Sequence, residues 1–230
     1  MIPTILLAAG FGKRLRPYTL KTPKCLIKIK GRPLLDFWIE RLSKNNFSPF
    51  LINSHYLPSV VKNFIKKNKF KKNIKLVYEP KLLGTAGTLI KNLDFFSLRD
   101  GLIMHSDNYC KFNLKNFYKT HLNRPRNALM TMLTFNSNDP VNAGIVKVDK
   151  DSVLKEFYEK DINNNGKRAN GAIYLISKEM QIELKNNYKL AENFSTDVIP
   201  YFKDKILTYH TNSSFFDIGT VKNYRAANRS

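Results

Sequence analysis

The chain alternates short apolar runs with stripes of apolar residues at helical spacing. Thr4 to Ala8 is an apolar run that flows into Gly10 and predicts a buried first strand. Leu34, Leu35, Trp38, Ile39 and Leu42 share one helical face, with Pro33 expected as the first helical residue. Phe50 to Asn53 predicts a second strand; Val60, Val61, Phe64 and Ile65 predict a helix after Pro58; Ile74 to Tyr78 predicts a third strand. Gly101 to His105 reads as a buried strand ending at Ser106-Asp107-Asn108. Leu114, Phe117 and Leu122 suggest a further helix. Ala128–Phe135, Gly144–Val148, Val153–Tyr158 and Ala172–Ser177 read as strands, and Ser195-Thr196-Asp197 as the cap of a short helix carrying Val198, Ile199 and Phe202. This alternation predicts an α/β fold of three layers, with a mostly parallel mixed sheet covered by helices.

Composition narrows the class. No Gly/Ser/Pro-rich linker or repeat divides the 230 residues, so one domain spanning residues 1–230 is expected. Hydrophobic residues make up 43% and charged residues 25%, too apolar for disorder. No apolar run approaches the roughly 18 residues of a membrane span. The first ten residues lack a basic stretch and read as a strand, not an export signal, so a cytoplasmic protein without membrane partners is expected. Cys25 and Cys110 are then expected as free thiols, and neither has a Cys or His at zinc-ligand spacing.

The formal charge is +21. Lys62, Lys66, Lys67, Lys69, Lys71, Lys72 and Lys75 carry much of it beside an apolar helix stripe. Only Phe70 is interleaved, so a solvated face is favoured over a nucleic-acid platform. A positive field would still attract phosphorylated substrates. A homodimer stays open.

The first strand runs into Ala8-Ala9-Gly10-Phe11-Gly12-Lys13-Arg14-Leu15-Arg16-Pro17. Glycines let backbone N–H groups approach phosphate oxygens. The dinucleotide fingerprint fails because its third glycine is Leu15, and no Gly-Lys-Ser/Thr follows for a P-loop. Lys13, Arg14, Arg16 and Lys24 remain, a cation set suited to a triphosphate or to a solvated loop.

The segment Leu7-Ala8-Ala9-Gly10-Phe11-Gly12-Lys13-Arg14-Leu15-Arg16-Pro17-Tyr18-Thr19 with Pro23-Lys24 resembles the signature of the sugar-phosphate nucleotidyltransferases. The resemblance covers most of the chain, since further motifs recur in order. It implies a glycosyltransferase-A-like nucleotide-binding fold and the reaction of a nucleoside triphosphate with a sugar 1-phosphate to give an NDP-sugar and pyrophosphate. It also implies nucleotide binding by Leu7, Ala8, Ala9, Gly10, Gly12, Lys13 and Arg14. Arg14 would assist the leaving pyrophosphate and Lys24 would neutralise phosphate at the reacting centre. Lys13 departs from the commoner Ser or Thr.

Asp107 and Asp217 each follow an apolar run, where a carboxylate needs a partner. A turn role and a hard divalent cation both supply one. The resemblance favours the cation: Asp107 matches the family's Gly-Asp position and Asp217 its Asp-x-Gly-Thr motif, which implies a shared catalytic Mg²⁺. Ser106 replaces the usual glycine and is expected to crowd the nucleotide slightly. In-line attack at the α-phosphorus would need no covalent intermediate.

Glu79 and the Leu83-Gly84-Thr85-Ala86-Gly87 segment resemble the base-binding part of the family site. Glu79 could accept hydrogen bonds from guanine, and Thr85 is a plausible helix cap. Glu159-Lys160 and Asn170-Gly171, with Gly144, resemble the sugar-phosphate side. Asp161 to Arg168 is polar, Asn-rich and expected to form a loop over the sugar.

Within the family the pattern is similar to the short bacterial guanylyltransferases for mannose or heptose 1-phosphate. The chain ends soon after Asp217, so no C-terminal β-helix is expected. Uridylyl-, cytidylyl- and thymidylyltransferases of the same fold are alternatives, as is a basic nucleotide- or RNA-binding module without turnover.

Overall fold

A computed structural model describes residues 1–161 and 166–230. Positions 162–165 of the expected Asp161–Arg168 loop lie outside the described residues. In chain order the strands are β1 (Ile2–Leu7), β2 (Lys28–Ile29), β3 (Arg32–Pro33), β4 (Phe47–Ser54), β5 (Ile74–Tyr78), β6 (Gly101–His105), β7 (Asn108–Cys110), β8 (Met130–Asn136), β9 (Gly144–Val148), β10 (Leu154–Glu159), β11 (Arg168–Ile176), β12 (Ile206–Thr211) and β13 (Phe215–Asp217). The helices are α1 (Leu34–Ser43), α2 (Pro58–Lys67), α3 (Gly84–Lys91), α4 (Leu114–Leu122), α5 (Lys178–Asn187), α6 (Phe194–Asp197) and α7 (Val221–Arg229). The class is α/β with mixed strand pairing, as the pattern predicts. The chain forms two compact units: residues 1–82, 104–111 and 214–230, and residues 83–103 and 112–213.

In the first unit β4 pairs in parallel with β1 and β5. The continuous apolar runs suit strands covered on both faces, and Ile5, Leu6, Phe50, Leu51 and Ile52 are fully buried. The α1 stripe of Leu34, Leu35, Trp38, Ile39 and Leu42 is fully buried too. At about 1.5–3 kcal/mol per large side chain, burying this face is the main reason the helix forms. Pro33 stands one residue earlier than expected, as the extended residue before the helix. Trp38 Nε1 donates to Asn108 O at 2.6 Å, tying α1 to β7. The β7–β13 ladder pairs Asn108 with Asp217.

In the second unit β8 lies between β11, antiparallel, and β12, parallel; β9 joins β11 to β10. Phe117 of α4 packs on Tyr209 with ring centroids 5.7 Å apart. Leu122, expected on that stripe, is 56% exposed, and His121 takes the buried place. His121 stands seven residues from Leu114, nearly two full turns, so its ring lands on the core side. There it reaches Thr131 Oγ1 at 2.9 Å and Asp100 Oδ2 at 3.2 Å. The expected Ser195–Asp197 cap is also revised. Asn193 caps α6 by accepting from Ser195 N, while Asp197 Oδ2 accepts from the backbone of Glu192 and Asn193.

Candidate active site

In the first unit the glycine loop leaves β1 at its carboxyl end. Gly12 adopts φ +65°, and a Cβ there would lie 2.9 Å from Thr19 Cγ2. Thr19 Oγ1 donates to Gly12 O at 2.8 Å and holds this turn. Only glycine fits both the angle and the space. A single 3₁₀ turn, Lys13–Leu15, then anchors Leu15 in the core and lifts Arg14 toward Asp217. Lys13 turns away, its ammonium 5.3 Å above the Phe11 ring.

Lys24 is the centre of this cluster. Its ammonium bonds to Asp107 Oδ2 and lies 3.5 Å from Asp217 Oδ1. Around it the carboxylates are unequal. Burial favours a proton on Asp107, but the Lys24 charge, the His105 ring and the hydrogen bonds to its carboxylate together outweigh it and hold Asp107 below the usual carboxylate range. Asp217 is held above that range, first by withdrawal from water and then by the Asp107 charge; Lys24 and Arg14 offset this only in part. Lys24 is raised: the two acids outweigh its own burial. Gly219 sits against the same group, where a Cβ would lie 3.0 Å from both Asp217 oxygens and 3.2 Å from Arg14 Nη2. Thus Arg14, Lys24, Asp107 and Asp217, which span most of the sequence, form one cluster of two cations and two acids.

A metal fits these donors. Two carboxylates are hard oxygen ligands, and Asp217, pushed up by burial and by the Asp107 charge beside it, is an acid that a cation between the two would keep ionised. Among the described residues no three His, Cys, Asp or Glu side chains gather as a metal site. A bound cation would therefore need oxygens from its substrate or water as well.

Two residues beside this cluster, Glu79 and Ser106, have other partners than expected. Glu79 is 2% exposed, and its Oε1 accepts from Asn53 Nδ2 at 2.9 Å. Asn53 Oδ1 in turn accepts from Ala8 N at 2.6 Å. Ser106 is buried, and both its N–H and its hydroxyl donate to Leu7 O, at 3.0 and 2.7 Å. The hydroxyl is spent within the fold, so it joins the two strand ends. Asn53 carries no motif of its own in the sequence; only a buried asparagine in an otherwise apolar strand hints at it.

The second unit places the remaining expected residues. Gly84 opens α3 at φ +75°, and a Cβ there would stand 2.2 Å from Glu192 O. Thr85 does not cap the helix. Its Oγ1 accepts from Phe194 N at 2.8 Å, and Ala86 N donates to Glu192 O. Phe194 stacks on Tyr174 at 4.7 Å, and Tyr174 OH accepts from Asn170 Nδ2 at 2.7 Å. A chain of contacts therefore links Thr85 to Asn170. Gly171 lies in the irregular stretch of β11 between Asn170 and Tyr174. Gly144 faces Glu159: a Cβ would meet Glu159 Oε2 at 2.8 Å. Burial raises Glu159 above its usual range, against the pull of Lys160. Lys160 is exposed, 4.0 Å from Glu159 Oε1.

Comparison with known proteins gives the family. The family model described as nucleotidyl transferase matches residues 3–230. The mannose-1-phosphate guanylyltransferase catalytic subunit beta of Drosophila pseudoobscura pseudoobscura is 27% identical over 228 residues, 96% of this chain and 60% of its own. The mannose-1-phosphate guanyltransferase of Schizosaccharomyces pombe is 26% identical over 231 residues, 96% of this chain and 61% of its own. The chain thus spans about three-fifths of the length of these curated relatives. The crystal structure of HddC from Yersinia pseudotuberculosis complexed with GMP-PN superposes with a TM-score of 0.82 at 22% identity, covering 100% of this chain and 99% of that one. Among the described residues no helix is long and apolar enough to cross a membrane. With one family model running through both compact units and the four-residue charge cluster in place, the chain belongs to the nucleotidyl transferase family.

Proposed function

We propose that the chain joins a nucleoside triphosphate, GTP by preference, to a mannose- or heptose-like sugar 1-phosphate, giving an NDP-sugar and pyrophosphate. The observation that carries this reading is the convergence of Arg14 and Lys24 with Asp107 and Asp217. The guanylyltransferase names of the relatives favour guanine and mannose. The matched span acts as a single domain, in the cytoplasm.

The chemistry asks little covalent work of the protein. A phosphate oxygen of the sugar 1-phosphate attacks the α-phosphorus. A new P–O bond forms there, and the bond to the β-bridging oxygen breaks. Pyrophosphate leaves with that electron pair. Lys24, already fixed between two acids, offers its ammonium to the charge that builds at the α-phosphate. Arg14 presents a fork of donors to the departing phosphates. Asp107 and Asp217 would hold Mg²⁺, which supplies Lewis-acid polarisation and a template when bound. In the second unit, Glu159 and Asn170 receive sugar hydroxyls, Lys160 the sugar phosphate, and Gly144 keeps the space beside Glu159 clear. Gly84 and Thr85 present backbone to the base. Glu79, held by Asn53 in the first unit, contributes to base recognition there.

The test is pyrophosphate release with Mg²⁺ across the four NTPs and a panel of sugar 1-phosphates. Release strongest with GTP and mannose or heptose 1-phosphate is expected. Silence across the matrix overturns the enzyme reading, and a clear preference for another base overturns the guanylyl assignment.

A further inference from the structure

Arg168 opens β11 with a guanidinium that is held but not neutralised. Two other arginines are held by carboxylates: Asp36 and Glu40 hold Arg32, and Asp100 holds Arg124. Arg168 is held by hydroxyls. Its Nε donates to Thr134 Oγ1 at 3.0 Å and its Nη2 to Thr208 Oγ1 at 2.7 Å. Thr208 passes its own proton to Ser152 O at 2.8 Å. These acceptors fix the fork's orientation and contribute no negative charge. Burial alone holds Arg168 below the ordinary arginine value, with no acid among the described residues opposing it. Withdrawing a charge from water without a counter-charge is costly.

The surroundings complete a site. Thr134 pairs with His210 on one side and with Asn170 on the other. The His210 ring nitrogen Nδ1 lies 3.2 Å from Thr134 Oγ1, so the imidazole borders the Arg168 fork. Arg168 stands two residues before Asn170 in a stretch of regular register, so both project from the same face, about 7 Å apart along the strand. All of these groups sit on strands β8, β11 and β12, where side chains are better fixed than on loops.

We propose that Arg168 and His210 form an anion-binding subsite on this sheet face, one row from Asn170, for a phosphate or carboxylate group. The fork's remaining N–H groups supply bidentate donors, and the imidazole adds a third. The anion comes either from free phosphate or from a second acidic group on the sugar substrate. The latter source rests on the proposed function; the former does not.

Inorganic phosphate is titrated into the full chain while the ring signals of its four histidines are followed by NMR. The His210 signal is assigned by its loss in His210→Asn, and buried His121 serves as the control. A saturable shift of His210 alone is expected, weakened tenfold or more in Arg168→Gln and partly kept in Arg168→Lys. No saturable shift, or equal curves for wild type and Arg168→Gln, overturns the subsite. If Arg168→Gln does not fold, Arg168→Lys, which keeps charge but loses the fork, makes the same comparison.

Turnover then separates the two sources. A tenfold rise in KM of Arg168→Gln for a sugar 1-phosphate bearing a second phosphate or carboxylate, with the simple sugar 1-phosphate unchanged, assigns the subsite to substrate. Equal KM values with a retained phosphate effect on His210 assign it to free phosphate. Absence of turnover by the wild type with every substrate would sink the enzyme reading and leave the NMR result standing.

Discussion

Asn53 Nδ2 donates to Glu79 Oε1 at 2.9 Å in the buried interior beneath the glycine loop. The same amide accepts from Ala8 N, so one side chain ties three strand ends, β1, β4 and the residue after β5, where the chain turns toward the candidate site.

Asn53→Ala would take one hydrogen bond from the buried Glu79 carboxylate and strand the Ala8 N–H. At about 1–3 kcal/mol for a buried polar group that loses its partner, a loss of roughly 1–4 kcal/mol is expected in urea unfolding. Glu79→Gln keeps an acceptor for Asn53 and should lose clearly less. Equal losses in the two variants would contradict the relay.

Asp107→Asn removes the acid bonded to Lys24 and half of the carboxylate pair. Turnover should fall by about 10²-fold or more, with the far-ultraviolet circular dichroism unchanged. Near-normal turnover would sink the roles given to Asp107 and Lys24.

Gly84→Ala meets two penalties. The left-handed angle costs about 1–2 kcal/mol for a residue with Cβ, and a Cβ placed 2.2 Å from Glu192 O must push a backbone carbonyl aside. A fall in Tm equivalent to roughly 2–5 kcal/mol is expected. Thr85→Val, which loses the acceptor for Phe194 N, should raise KM for the nucleotide, and Thr85→Ser should restore it.

Glu159 predicts a pH effect with a definite sign. Its native pKa is raised, so the folded state keeps this proton to higher pH than the unfolded chain does. Its contribution to stability is therefore lost as pH rises from about 4, the unfolded value, through the raised native value. The stability difference between Glu159→Gln and wild type should grow over that window in favour of the variant. The variant should also raise KM for the sugar phosphate, as expected of a functional acid kept at a cost in stability. A difference that does not change with pH would refute the assignment.

Cys25 and Cys110 are both buried and unbridged. Burial pushes the Cys25 thiol up to about 12. Neither should react with a disulfide reagent in native buffer at pH 8, and both should react once the chain is unfolded. Fast labelling of the native protein would contradict this packing.

Much of the architecture was legible because it is local. The apolar runs of β5, β6 and β9 and the five-residue stripe of α1 declare their period directly. Elements whose burial is set by tertiary neighbours were not. The α5 stripe contains Gln181, buried because its amide donates to Arg99 O at 2.6 Å, and β12 carries Thr208 and His210 among its apolar residues. Leu122 and His121 exchanged places because a histidine with two polar partners tolerates burial better than its hydrophobicity suggests.

By itself the sequence determined the family, the glycine loop and the identity of four charged residues, because each is written in a contiguous motif. Only the tertiary structure decided that Arg14, Lys24, Asp107 and Asp217 share one field, and that Asp217 is the acid held above the usual range. It also decided that Ser106 and Thr85 spend their hydroxyls on backbone, and that Arg168 has no neutralising acid among the described residues. Those facts depend on distances between residues far apart in the chain, and electrostatics and hydrogen bonding act through such distances whatever the order of the residues.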